Sequence, residues 1–127
     1  MDVTNSQNID HVLEEVINKY KRPPSLVVNS AGITRDSFIL KMDESDFDLV
    51  LNVNLKGTFL VMKHAVKKMC DYKIGGSVVN ISSITAKIGN IGQSNYAPSK
   101  AGVECLTRVA SKEFAKFGIR VNSVIPG

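Results

Sequence analysis

The apolar and polar positions divide the chain into alternating helical and extended stretches. Ile9, Val12, Leu13, Val16, Ile17 and Tyr20 recur at spacings that place them on one helix face. They predict an amphipathic helix over roughly 6–20. Thr4 and Gln7 match a capping box ahead of it, and Pro23-Pro24 ends it. Ser25–Asn29 is a short apolar run that reads as a strand. Asp43-Glu-Ser-Asp46 supplies caps and favourable charge for a second helix, predicted over 47–71. Val50, Asn54, Thr58, Val61, Ala65 and Met69 share one side of it. Leu49, Val53, Leu60 and Met62 fall elsewhere. Apolar residues on more than one stripe predict burial on two sides, against a sheet and against a partner subunit.

Gly75-Gly76 turns the chain into Ser77–Ile81, whose apolar character predicts a buried parallel strand. Gly89 and Gly92 mark a loop, and a third helix starts near Tyr96. Pro98 falls in its first turn, where a missing N–H costs little. Val103, Leu106, Ala110, Phe114 and Phe117 continue it at core spacing, with Cys105 expected as a small buried hydrophobe. Gly118 caps its end, and Ile119–Ile125 is a third strand. The helix–strand alternation predicts an α/β fold, a doubly wound parallel sheet with right-handed crossovers.

Composition excludes more than it identifies. The 127 residues fit one domain, and 43% hydrophobic content is ordinary for a globular chain. The net charge is +4, but the basic residues are scattered from Lys19 to Arg120. The densest group, Lys63, Lys67 and Lys68, has the spacing of a solvated helix face, so nucleic acid is not the expected partner. Cys70 and Cys105 form no Cys-x-x-Cys, and His11 and His64 lie near no ligand cluster, so no metal site is expected. No apolar run reaches the 18 or so residues that would span a membrane.

The candidate chemistry lies between Ser82 and Gly102. Tyr96 and Lys100, four apart, share a helix face. A free phenol has a pKa near 10 and is a poor base at neutral pH. A cation within about 4–6 Å favours the phenolate, and Lys100 is placed to supply one. Such a phenol can exchange a proton with a carbonyl or carbinol oxygen. Ser83, at the end of the preceding strand, can donate a second hydrogen bond to that oxygen. The set suits carbonyl reduction or alcohol oxidation if another group carries the hydride. The plain alternative is a surface Tyr–Lys contact worth a few tenths of a kcal/mol.

A strand ending in Ser82-Ser83, thirteen positions from Ser83 to Tyr96, then Lys100-Ala101-Gly102, resembles the short-chain dehydrogenase/reductase family. The resemblance implies a Rossmann-type fold, with Tyr96 as general acid/base and Ser83 orienting the substrate oxygen. Lys100 would tune the tyrosine and hold the nicotinamide ribose. Asn54, in Asn52-Val-Asn-Leu-Lys-Gly57, matches the family's fourth catalytic residue, which holds a water in a proton relay; Asn52 lies off the motif. Asn29-Ser-Ala-Gly32 resembles the family's Asn-Asn-Ala-Gly, with Ser30 replacing the second Asn. It implies that Asn29, Ala31 and Gly32 lie on the adenosine side of the cofactor and steady the sheet. Asp2-Val3 resembles the end of the family's third strand, near the adenine. Pro126-Gly127 resembles the Pro-Gly beside the nicotinamide.

No G-x-G-x-x-G occurs among the nine glycines. A dinucleotide fold uses such a turn to seat the pyrophosphate on a helix N-terminus. The expectation is therefore that residues 1–127 are the central and C-terminal-half portion of the domain, without the Gly-rich cofactor turn and the substrate loops. The cofactor would be NAD or NADP, the choosing segment being absent.

Within the family, Asn54–Leu60 and Gly89–Tyr96 resemble the 3-oxoacyl-(acyl-carrier-protein) reductase group. Arg22-Pro-Pro-Ser25 with Ala31–Asp36 resembles its animal 17-beta-hydroxysteroid dehydrogenase type 8 branch. These imply a 3-oxoacyl or 3-hydroxyacyl thioester substrate, or a steroid, and a homo- or hetero-tetramer built on the two long helices. The location implied is the mitochondrial matrix for the animal branch and the cytoplasm otherwise. The rival reading is a non-catalytic subunit that assembles through those helices.

Overall fold

The computed structural model describes residues 1–127. Its elements, in order, are α1 (Ser6–Tyr20), β1 (Leu26–Asn29), α2 (Glu44–Leu51), a π-helical stretch (Asn52–Gly57), α3 (Thr58–Asp71), β2 (Gly76–Ile81), α4 (Thr85–Ile88), α5 (Tyr96–Phe114) and β3 (Ile119–Val124). Single 3-10 turns lie at Ile39–Lys41 and Ala115–Phe117. The strands are parallel, in the order β1-β2-β3. Each crossover therefore returns to the neighbouring position, and this portion of a Rossmann-type sheet winds in one direction.

The register aligns Val27 with Val78 and Val78 with Val121. These three point to one face, because side chains alternate along a strand. Met62, Val66 and Met69 from α3, with Ala110 from α5, pack on Val78, Ile119 and Val121 there. Ile9 and Leu13 of α1 join Val61 and Ala65 of α3 in an adjoining cluster that also reaches Val27. Full burial of each Val, Leu, Ile or Met side chain among them contributes about 1.5–3 kcal/mol. On the other face Leu26, Val28 and Val124 are exposed.

A buried polar chain crosses the sheet at the same level. Asn29 Nδ2 donates to Asn80 Oδ1 at 2.8 Å, and Asn80 Nδ2 donates to Thr107 Oγ1 at 2.9 Å. Thr107 Oγ1 in turn donates to the Val103 carbonyl. β1, β2 and α5 are thereby stitched together through buried side chains.

Several sequence expectations need correction. Asn5, not Thr4, caps α1: its Oδ1 accepts from Asn8 N at 3.0 Å. Thr4 is held by Asp2, whose carboxylate accepts from both its N–H and its hydroxyl. The second helix begins at Glu44 rather than Phe47 and carries a π-helical stretch. Its expected buried side does hold, since Val50, Asn54, Thr58, Val61, Ala65 and Met69 are all buried. Cys105 is exposed because it falls on the outer side of α5. Phe117 is 46% exposed and Leu106 only half-buried. Both border an apolar groove, Leu106 while also packing against the edge of the core. Lys68 is not fully solvated: it crosses to Glu14 of α1, and His64 meets Asp10 there at 2.7 Å.

Asn80→Ala in the full-length protein removes the acceptor of the buried Asn29 amide. It should cost about 1–3 kcal/mol, read as a lowered urea midpoint. An unchanged midpoint would show that the polar chain does not stabilise the sheet.

Candidate active site

The candidate residues converge where the C-terminal end of β2 meets the first turns of α5. A cleft of about 360 Å³ is lined by Gly32, Ser83, Tyr96, Lys100 and Pro126, among others. Open α/β sheets place ligands outside the carboxyl ends of their strands, and this cleft lies there. Tyr96 is the first residue of α5 and Lys100 stands one turn later. The Lys100 ammonium is 5.7 Å from the centre of the Tyr96 ring.

Lys100 is only 4% exposed. Its ammonium donates to the Ile81 carbonyl at 2.8 Å, at the end of β2. Three N–H donors meet one protein acceptor, so two are left for a ligand in the cleft. Burial pushes the Lys100 pKa below its ordinary value near 10.5. Ser83 reaches the same cleft, and its Oγ accepts from Thr85 N at 3.2 Å and lies 3.0 Å from Thr85 Oγ1. Ile84 N donates to the Pro126 carbonyl, fixing the Ser83 loop against the end of β3.

Asn54 stands directly behind the cleft, fully buried. Its Oδ1 accepts from Ile33 N at 2.8 Å and its Nδ2 donates to Ile33 O at 3.0 Å. The side chain thus pairs with the loop after β1 as a strand would. Nδ2 also donates to Ser99 Oγ at 3.1 Å, and Ser99 Oγ donates to the Tyr96 carbonyl at 2.7 Å. The π-helical stretch is what sets Asn54 at this point; such bulges are frequent at functional sites. A Cβ on Gly32 would stand 3.4 Å from Lys100 Nζ and 3.5 Å from Asn54 Oδ1. A side chain there would fill the floor of the cleft.

The remaining residues singled out in the sequence lie elsewhere. Asn29 is in the buried polar chain, and Ala31 is exposed and not part of the cleft lining. Asp2 is exposed in the turn before α1; its bonds from the Thr4 N–H and hydroxyl hold its carboxyl below its ordinary range. Val3 packs on Gly57, where a Cβ would come within 2.7 Å of Val3 Cγ2. The Asp2–Val3 turn therefore touches the π-helical stretch but not the cleft. Gly127 is exposed beyond Pro126.

Sequence reasoning missed Ser82, Asn95, Ser99 and Glu104, all buried around the site. Asn95 had a signal, since it immediately precedes the helix. Its Oδ1 accepts from Tyr96 N at 2.7 Å and its Nδ2 donates to the Arg35 carbonyl at 2.8 Å.

A family model described as short chain dehydrogenase matches residues 1–127. A (3R)-3-hydroxyacyl-CoA dehydrogenase of Mus musculus is 54% identical over 126 residues, covering 99% of this chain and 49% of that protein. The Homo sapiens protein of the same name is 52% identical, with 99% and 48% covered. A 3-oxoacyl-[acyl-carrier-protein] reductase FabG of Thermotoga maritima is 48% identical over 127 residues, with 100% and 51% covered. The chain spans about half the length of the curated relatives it matches. No helix is long and apolar enough to cross a membrane.

The burial of Lys100 has a pH consequence. A lysine whose pKa is lowered by folding destabilises the fold while charged. That cost is relieved as pH rises from the lowered value towards 10.5. The full-length protein should therefore gain stability relative to Lys100→Met between neutral pH and about pH 10, read from paired urea midpoints. A pH-independent difference would show that Lys100 titrates alike in both states.

Proposed function

The chain belongs to the short-chain dehydrogenase family, and on that footing we propose that the full-length protein is an NAD- or NADP-dependent oxidoreductase. It interconverts a ketone and a secondary alcohol on a 3-oxoacyl or 3-hydroxyacyl thioester. The observation that carries this reading is the convergence of Ser83, Tyr96 and a buried Lys100 ammonium in one cleft. The relatives' names support the substrate class.

The cleft suits a nicotinamide cofactor at its ribose end. Lys100 keeps two donors for the ribose hydroxyls, and Gly32 leaves open the space a side chain would fill. Pro126, in the same lining, would stand at the nicotinamide side; Gly127, Asp2, Val3, Asn29 and Ala31 lie outside that lining and have no direct role at this end of the cofactor. When bound, the cofactor supplies or accepts the hydride.

The chain's own residues manage the oxygen. Ser83 donates to it and sets its direction. Tyr96 gives it a proton in reduction and takes one in oxidation. The Lys100 charge stabilises the anionic phenol oxygen left between those events. Asn54 holds the Ile33 loop against the first turn of α5 and positions the relay water that returns the proton through Lys100.

The assembly proposed is a homo- or hetero-tetramer. Its contacts would lie along α3, α5 and the turn after α5, where Phe59, Val109 and Phe117 are exposed beside apolar grooves. A mitochondrial matrix location accompanies the likeness to the animal proteins.

In the full-length protein, Tyr96→Phe should lower turnover of a 3-oxoacyl thioester by about 10²–10⁴-fold, the usual worth of a positioned acid/base. The mass in solution should not change. Unchanged turnover would remove Tyr96 from the reaction and favour a non-catalytic, assembling subunit.

A further inference from the structure

Glu104 is a buried carboxylate for which the proposed reaction has no use. It lies one turn beyond Lys100 and two beyond Tyr96 on the same side of α5, with its side chain 6% exposed. A carboxylate persists inside a protein when its charge and lone pairs are met. Here Oε1 accepts from the Ser82 hydroxyl at 3.0 Å, and Oε2 meets the Lys87 ammonium of α4. Ser82 Oγ also lies 3.1 Å from the Lys100 carbonyl. Lys87, seconded by Ser82, holds the Glu104 carboxyl below the usual carboxylate range, and Arg108 on the next turn adds to the effect.

These partners bracket Ser83. Ser82 precedes it, and α4 begins at Thr85, which itself bonds Ser83 Oγ. Glu104 with Lys87 is the ion pair joining α4 to α5. An apolar side chain of similar volume could pack between Ser82 and α4 without forming any of these bonds. The carboxylate is explained by what it holds.

Resting on the reading of Ser83 as the group that orients the substrate oxygen, we propose that Glu104 is a positioning residue for the reaction. It latches Ser82 and α4 onto α5, and so fixes where the Ser83 hydroxyl stands relative to Tyr96 and Lys100. Glu104 touches no reacting atom. Its effect is geometric, and a displacement near 1 Å is enough to cost about a hundredfold in rate.

The test is a double-mutant cycle in the full-length enzyme, scored on kcat. Glu104→Leu should lower kcat by about ten- to a hundredfold with little change in KM. Glu104→Gln keeps an acceptor for Ser82 and should recover part of the loss. In a Ser83→Ala background, Glu104→Leu should lower kcat no further. The same loss in both backgrounds, or an unchanged kcat, overturns the proposal. Should Glu104→Leu fail to fold, Lys87→Ala carries the cycle, because that side chain is half exposed. A loss that vanishes in the Ser83→Ala background supports the latch, and an unchanged kcat overturns it. Ser83→Ala alone separates the two readings. If it leaves turnover intact, the catalytic assignment falls and the latch with it. If it abolishes most turnover while both latch variants stay active, only the latch falls.

Discussion

A lysine ammonium is held inside this protein by one backbone carbonyl, and the site is arranged around that bond. Moving a charge out of water is costly unless partners replace the hydration. Ile81 O supplies one such partner at 2.8 Å, from the last residue of β2. The bond fixes the helix carrying Tyr96 to the strand end that continues into Ser82 and Ser83. Ser82 returns the connection by lying against the Lys100 carbonyl. The two sides of the cleft are thus tied twice, once by a side chain from each.

Asn54 does the corresponding work for the third wall. Helical periodicity alone would leave an amide at this position to compete with its own backbone. The π-helical stretch instead directs it at Ile33, where both ends of the amide find backbone partners. Because Nδ2 also reaches Ser99, the loop after β1 and the first turn of α5 share one hydrogen-bonded junction. Gly32 lies beside that junction, with Lys100 and Asn54 both at contact distance, 3.4 and 3.5 Å, from where its Cβ would be.

What the sequence disclosed follows from which relations are local. Strand and helix order, the shared helix face of Tyr96 and Lys100, and the buried side of α3 are all written in short-range spacing. So is the position of Ser83, because it ends an apolar run. The π-helical stretch is not legible in the sequence, since Asn54's amide exchanges bonds with the Ile33 backbone and donates to Ser99 across 21 and 45 positions. Asn80 reads as one polar residue in a strand until Asn29 and Thr107 are brought beside it. Cys105 and Phe117 are exposed against expectation because apolar character does not say which side of a helix meets the sheet. Thr4 matches a capping box, but Asn5 is also a residue type that caps, and Asp2 decides between them by engaging the threonine.

This division has a chemical consequence. Tyr96 is half-buried, and its phenol oxygen forms no hydrogen bond within the chain. The Ser83 hydroxyl is bonded only to Thr85, two residues on. Neither group joins two elements of the fold, so each can be asked to serve a substrate without loosening the scaffold. Asn54, Asn80, Asn95 and Glu104 each bond across elements and are buried. A buried polar group that loses its partner costs more than the bond it made contributes. The scaffold's polar residues are therefore constrained by folding as well as by geometry at the cleft. Tyr96 and Ser83 carry no such constraint from the fold, and it is their types and spacing, rather than their packing, that mark the cleft as the candidate site.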